Sequence, residues 1–349
     1  MNPIKNTQAQ AGWDDAWQHI LEASQPPQHH GVARVTAVHG IQVEVWDGVL
    51  SARVAPGDHA LAVGDWVVLD APLPQAVQVV SVLPRRTHLR RQAAGQQTRA
   101  QDVAANLDEL WILTGVDEDF SLSRMERYVA AALAGGITPR LVLTKADTHP
   151  SPELLAAEVQ QRLGVTAHVL SALTGAGLDV LRAAVLPGRT YALVGSSGVG
   201  KSTLLNALLG EDVMDTAPVR ETDHTGRHTT TVRQMLQLPG GALVVDTPGM
   251  RAFSPWLPEG DVPGFDDVAA VAQGCRFNNC THQHEPGCAV QAAVEAGALD
   301  AMRVANLFQL QAEADFQASR TGRAAREARR KDAVLGRAQR QWSKVTGKR

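Results

Sequence analysis

Cysteine is nearly missing from this chain of 349 residues. Three are present, an odd number and too few for a disulfide framework, so a reducing compartment is expected. Long apolar runs are missing as well. The first twenty residues hold none, so no secretory signal is expected, and no later stretch approaches the ~20 residues of a membrane span. The cytoplasm is therefore the expected location, with no membrane partner. Aromatics amount to 4% of the chain. In the β-rich region near the N-terminus, Trp46 and Trp66 are too thin a set for a base-stacking platform, and Trp66 reads as core.

What is present fits an ordinary globular protein, with 44% hydrophobic and 20% charged residues. The length allows two or three domains. The net charge of −3 hides an asymmetry. Residues 320–349 hold eleven Lys/Arg against Glu327 and Asp332, so that segment carries +9 and the remainder −12. A basic end on an acidic body suggests a tail that seeks phosphate backbones.

Residues 1–28 are rich in Gln and Pro and read as a flexible leader, although Trp13 and Trp17 stand at helical spacing. Five short β-branched runs follow: Val32–Val38, Ile41–Val45, Val49–Val54, Trp66–Leu69 and Val77–Val82. Turn signals separate them at Gly40, Asp47-Gly48, Pro56-Gly57-Asp58 and Gly64-Asp65. They predict a small closed barrel of the OB or SH3-like type over 29–88. From 89 to 255, apolar runs at Leu110–Thr114, Arg140–Leu143, His168–Leu170, Tyr191–Val194 and Leu243–Val245 alternate with helical stretches near 122–134, 152–163, 177–185 and 201–209. That alternation predicts a parallel sheet with helices on both faces. Residues 256–349 read as a zinc-binding helical domain that grades into the basic tail. The fold class is therefore multi-domain α/β.

Gly195-Ser196-Ser197-Gly198-Val199-Gly200-Lys201-Ser202, followed by Thr203, is a complete phosphate-binding loop after a strand and before a helix. Its glycines let backbone N–H groups turn toward phosphate oxygens. Lys201 adds charge for the β- and γ-phosphates, and Ser202 offers a hydroxyl to Mg²⁺. Thr144-Lys145-Ala146-Asp147 has the form of a guanine-reading loop. A carboxylate at Asp147 can accept from guanine N1–H and N2–H₂, an edge that adenine lacks. Lys145 is expected to lay its stem along the base with its ammonium reaching toward the phosphate loop. Thr144 stands where Asn is usual, and a hydroxyl cannot reproduce an amide's two-ended bonding. Ser171-Ala172 reads as the loop supporting the base. Asp246-Thr247-Pro248-Gly249 has the form of a Mg²⁺ and γ-phosphate switch. Gly226-Arg227-His228-Thr229-Thr230-Thr231 sits where a first switch belongs, with Thr230 as a Mg²⁺ ligand. Met250 cannot orient water, which leaves His228 as the candidate for that task.

The order of these motifs is rotated. The guanine loop precedes the phosphate loop, as if old termini had been joined and new ones cut, which closely placed domain ends permit. All three cysteines lie within Cys275-x₄-Cys280-x-His282-x₅-Cys288. Three thiolates and an imidazole suit a closed, structural Zn²⁺ site, with His284 an alternative ligand.

Motif order, the 226–231 stretch and the Cys/His knuckle together resemble the circularly permuted GTPases of the ribosome small subunit-dependent GTPase A (RsgA/YjeQ) family, over about residues 30–349. The resemblance implies a factor that binds the maturing small ribosomal subunit and its rRNA. It would hydrolyse GTP to GDP slowly alone and faster on the subunit, then leave. Lys201, His228 and Thr230 are the expected catalytic residues, Zn²⁺ and Mg²⁺ the expected ions, and a monomer the expected state. A GTP-gated RNA-binding module with incidental hydrolysis is the alternative. A P-loop metabolic kinase is disfavoured by Asp147.

Overall fold

In a computed structural model, residues 8–26, 30–93, 99–210, 233–247, 253–258, 260 and 262–321 are described. Two compact units hold them, one from 1–91 with 102–255 and the other from 92–101 with 256–349.

Within the first unit, the second half of the expected leader is folded. Helix α1 (Asp15–Ala23) starts at Asp14, whose carboxylate accepts from the Trp17 N–H at 2.9 Å. Such a cap stabilises a helix by ~1 kcal/mol. Trp13 and Trp17 are buried against Trp66, with ring centroids 4.7 Å and 6.1 Å from it. Trp17 lies in the helix and Trp13 just ahead of its cap, and burial of both indoles against Trp66 holds the segment on the barrel.

Strands β1 (Gly31–His39), β2 (Gln42–Trp46), β3 (Ser51–Val54), β4 (Trp66–Leu69) and β5 (Val79–Val82) pair in the order β3-β2-β1-β4-β5. A parallel bridge between Ala55 and Gln78 joins the open ends and closes an OB-like barrel. Inward β-branched residues, Val35, Val43, Val45, Val67 and Val79, fill it. Arg34 on β1 is fully buried and donates to the carbonyls of Ala11, Gly64 and Asn106 at 2.7–3.3 Å, stapling three segments. Burial pushes its pKa down to about 10, so it stays cationic at neutral pH.

The barrel does not stop at its own edge. Strand β1 also pairs antiparallel with β12 (Gln234–Gln237) through Ala37 and Gln234, so barrel and central sheet form one continuous surface. The sequence places a boundary between 88 and 89, and the backbone pairing crosses it. Strands β6 (His88–Gln92) and β7 (Ala100–Ala105) form a separate two-stranded sheet between them in the chain.

The central sheet runs β10 (Ala167–Val169), β9 (Thr138–Thr144), β8 (Glu109–Gly115), β11 (Thr190–Val194), β13 (Leu243–Asp246), β12. All neighbours except β12 pair in parallel. Alternate residues of each buried strand serve opposite faces. Leu110 and Ile112 pack with Met125, Tyr128 and Val129 of α2 (Leu122–Ala134) and with Val159 of α3 (Pro152–Leu163). Trp111 and Leu113 pack with Leu178 and Leu181 of α4 (Leu178–Ala184) and Leu204 and Leu208 of α5 (Lys201–Leu209). From the β8/β11 boundary the parallel strands run outward through β9 and β10 on one side and through β13 on the other, with β12 folded back antiparallel at its edge. That boundary is a topological switch that opens a crevice at the carboxyl ends of the strands.

In the second unit, α6 (Asp266–Ala272) and α7 (Ala289–Glu295) flank the cysteine segment, and residues 301–321 are helical. Buried Arg303 pairs with Asp267 through Nε at 2.8 Å and Nη2 at 2.7 Å, and donates to the Gly264 carbonyl. Among the described residues, no helix is long and apolar enough to cross a membrane.

Candidate active site and metal centre

The loops singled out in the sequence converge on the crevice. The phosphate-binding loop follows β11, the Thr144–Asp147 loop follows β9, the Ser171-Ala172 turn follows β10, and Asp246 ends β13. Parallel pairing sets all four at the same edge of the sheet.

The phosphate-binding loop needs its first glycine for space. A Cβ on Gly195 would lie 2.5 Å from the Leu113 carbonyl oxygen, and its φ is +150°. Gly200, at φ +100°, turns the chain into α5, whose N-terminal N–H groups then open toward the loop. Val199 is buried under the loop, whereas Ser197 and Gly198 are exposed, and Ser202 and Thr203 lie on the first turn of α5. Lys201 Nζ donates to the Gly195 carbonyl at 2.8 Å and to that of Ser196, which folds the loop around its own cation.

Thr144 is buried and bridges the two loops. Its hydroxyl donates to the Val199 carbonyl at 2.7 Å and lies 3.2 Å from the Thr114 carbonyl. The substitution for Asn therefore keeps a link to the phosphate-binding loop. Lys145 takes a left-handed backbone at φ 59°, and its ammonium sits 2.7 Å from Asp117 Oδ2. The expectation that it reaches the phosphate loop is replaced by this ion pair. Burial by itself would raise the Asp117 carboxyl, but the Lys145 hydrogen bond holds it below the usual range. Asp147 is exposed on the short 3₁₀ turn Ala146–Thr148. Ser171 is buried, its N–H donating to the Ala176 carbonyl at 2.9 Å and its Oγ accepting from Thr174 N–H at 3.2 Å. Ala172 follows it, partly buried.

Asp246 is largely buried beside Lys201. Desolvation raises its pKa above the usual 3.8, and the Lys201 charge offsets part of that rise. A cation brought there would relieve an expensive ionisation. Thr247 anchors the start of the switch by donating its hydroxyl to the Leu193 carbonyl. The remaining switch residues, including Gly249 and Met250, lie outside the described residues, as do His228, Thr230 and the whole 226–231 stretch.

Motif reading missed Asp117 and Asp119, on the loop after β8. Asp119 accepts from the Ser196 hydroxyl and pairs with Arg124 at 2.7 Å. A carboxylate in a loop carries no periodic signal, and the strand-to-loop position after Gly115 was the only available cue.

In the second unit, Cys275, Cys280, His282 and Cys288 gather their ligand atoms within 4.8 Å of one another. Cys275 Sγ and Cys288 Sγ are 3.9 Å apart and lie 3.4 Å and 3.5 Å from His282 Nδ1. The edges of a tetrahedron with metal–sulfur and metal–nitrogen bonds of ordinary length are about 3.6–3.8 Å, so the donor set fits one ion. His282, not His284, completes the group, and its positive φ of 59° turns the ring inward. Glu285 accepts from the N–H groups of Thr281, Gln283 and His284 and from the Thr281 hydroxyl. The hydroxyl and the N–H donors hold its carboxyl well below the usual range. That turn spaces the ligands, and Gln291 Nε2 fixes the His282 carbonyl at 3.2 Å.

The sequence profile described as RsgA GTPase matches residues 82–256. A protein of Opitutus terrae named small ribosomal subunit biogenesis GTPase RsgA is 41% identical, over 97% of this chain and 96% of its own. One of the same name from Xanthomonas oryzae pv. oryzae is 47% identical, over 74% of this chain and 70% of its own. Among solved structures, YjeQ from Thermotoga maritima aligns with a TM-score of 0.61 at 25% identity, covering 82% of this chain and 98% of that one. YloQ, described as a circularly permuted GTPase, shares the fold with a TM-score of 0.60 at 21% identity, covering 83% and 96%.

Proposed function

Since this chain belongs to the RsgA GTPase family and is a GTP hydrolase, we propose that its turnover serves biogenesis of the small ribosomal subunit. In this reading it binds the maturing subunit and its rRNA as a cytoplasmic monomer, and hydrolysis to GDP and phosphate drives release. The Thr144 hydroxyl on the Val199 carbonyl carries the nucleotide part of the reading, because it ties the base-reading loop to the phosphate-binding loop within one crevice. The names of the similar proteins support the ribosomal part. GTP then lies across Gly195–Thr203, with its base between Lys145, Asp147 and the Ser171-Ala172 turn. Lys201 leaves the loop carbonyls for the β- and γ-phosphates. Ser202, Asp246 and Thr230 would hold Mg²⁺, which supplies charge neutralisation to the phosphate oxygens, and the Gly249 N–H would face the γ-phosphate.

Met250 cannot place water, so free turnover is slow, and the partner brings His228 to the attacking water. The chain runs from the Asp246–Gly249 switch through Pro255 and Pro258 into the Cys/His segment. Nucleotide state can thus bias that segment on its RNA partner. Cys275, Cys280, His282 and Cys288 would hold one structural Zn²⁺.

The test is GTP turnover with and without purified small subunits. Subunits are expected to accelerate it. His228→Ala should cut the stimulated rate far more than GTP binding, and Lys201→Ala should damage both. Wild-type turnover that ignores the subunits would overturn the proposal.

A further inference from the structure

Thr144 faces two backbone carbonyls with one proton. Its Oγ1 lies 2.7 Å from the Val199 oxygen and 3.2 Å from the Thr114 oxygen. A hydroxyl donates once, whereas a carboxamide donates twice. The 144–147 loop is therefore one hydrogen bond short of what an Asn would give it.

The loop after β8 makes a link of its own to the same segment. Asp117 Oδ2 accepts from Lys145 Nζ at 2.7 Å, and Asp117 Oδ1 accepts from the Asp119 N–H at 3.1 Å, which fixes the carboxylate's orientation. Gly115 makes room for it, since a Cβ there would lie 2.3 Å from Asp117 Oδ1. Backbone pairing holds the two loops in register, with the Val116 N–H donating to the Thr144 carbonyl at 3.1 Å. Asp119 grips the phosphate-binding loop at Ser196 from the same turn. One acidic loop thus holds the lysine of the base-reading segment and the second residue of the phosphate-binding loop.

We propose that Asp117 is a positioning residue for nucleotide binding, and that through Lys145 it supplies the second anchor that the Thr144 hydroxyl cannot. It rests on the nucleotide site described above. Asp117 touches neither base nor phosphate. It fixes where the Lys145 stem lies, and so fixes one wall of the base site before nucleotide arrives. A loop held in place loses less entropy on binding, so the effect falls on affinity for GDP and GTP alike rather than on the chemical step.

Asp117→Asn keeps size and removes charge. Its dissociation constants for GDP and GTP are expected to rise together about fivefold to tenfold, the scale of one charge-assisted hydrogen bond at a half-exposed site. Turnover at saturating GTP should stay within about twofold. Gly115→Ala, which displaces the carboxylate without deleting it, should weaken both nucleotides in the same sense. Thr144→Asn should change wild-type affinity by less than about twofold, yet restore most of the loss in the Asp117→Asn background. A merely structural role for Asp117 gives no such rescue. Equal gains from Thr144→Asn in both backgrounds would overturn the proposal. So would unchanged affinities in Asp117→Asn while Lys201→Ala abolishes binding. If Lys201→Ala and Asp147→Asn also leave binding unchanged, the nucleotide site itself is misplaced and both readings fall.

Discussion

Asp246 shows how one residue can be costly to the fold at the very place where the proposed site calls for a carboxylate. It ends a buried strand, and desolvation raises its carboxyl above the usual 3.8. Ionising it in the folded chain is therefore harder than in the unfolded chain. The sign follows: the folded state is favoured while the group is protonated and loses that advantage as pH rises through the raised value. Asp246→Asn mimics the protonated form. It should stabilise the nucleotide-free protein by about 1 kcal/mol at neutral pH, the scale of many exchanges of function for stability. The gain should fade in acid, below the ordinary Asp value. Denaturant melts across that range measure it. Mg²⁺-dependent nucleotide affinity should fall in the same variant, and a variant that is both less stable and fully active would show that burial there carries no cost. Thr144 is the second lesson at this scale. Its identity was plain in the sequence, but the two carbonyls it faces belong to residues thirty and fifty-five positions away. No local reading reaches them.

Among the elements, what could be read in advance is what local pattern encodes. The five β-branched runs of the barrel, the apolar strands of the sheet and the phosphate-binding loop all fall where periodicity and turn residues put them. Pairing between distant strands is not local. The continuity of β1 with β12, set by Ala37 against Gln234, was therefore invisible. The spacing of Trp13 and Trp17 hinted at a short docking helix, but not at Trp66 as its seat. The Cys/His segment was legible because ligand spacing is itself a local pattern. Its short turn and seven-residue helix α7 bury little, so an ion held there would supply much of the folding energy of that segment. Removing one thiolate should show this. Cys280→Ala, or chelation of the wild type, is expected to release the metal and lower the unfolding temperature of the C-terminal unit. GTP affinity should be kept, since the nucleotide loops draw on other strands. Metal analysis together with hydrogen exchange over 262–321 reads both effects. Unchanged protection there after metal loss would make the ion incidental.

Across the whole molecule, the strongest asymmetry is charge. Beyond Thr321 the chain carries ten Lys/Arg and two acids, a balance of +8 on a protein whose net charge is −3. Permutation gives this asymmetry a use. By rotating the motif order, the chain places its nucleotide switch upstream of the Cys/His segment and of the basic end, where the proposed RNA contact lies. Each phosphate neutralised on an RNA releases counterions, and the binding constant then falls with salt at a slope of roughly 0.7–0.9 per contact. Truncation after Thr321 should therefore weaken association with small subunits most at low ionic strength. It should also flatten the salt dependence by several units if most of those charges engage. Intrinsic GTP turnover should be unaffected, because every strand and loop of the nucleotide crevice lies before Pro255. Co-sedimentation across a salt series, with GDP and with a non-hydrolysable GTP analogue, separates the contributions. A truncated chain with the full-length slope would move the RNA contacts off the tail and onto the body, whose charge of the opposite sign would then have to be patterned to leave a basic face.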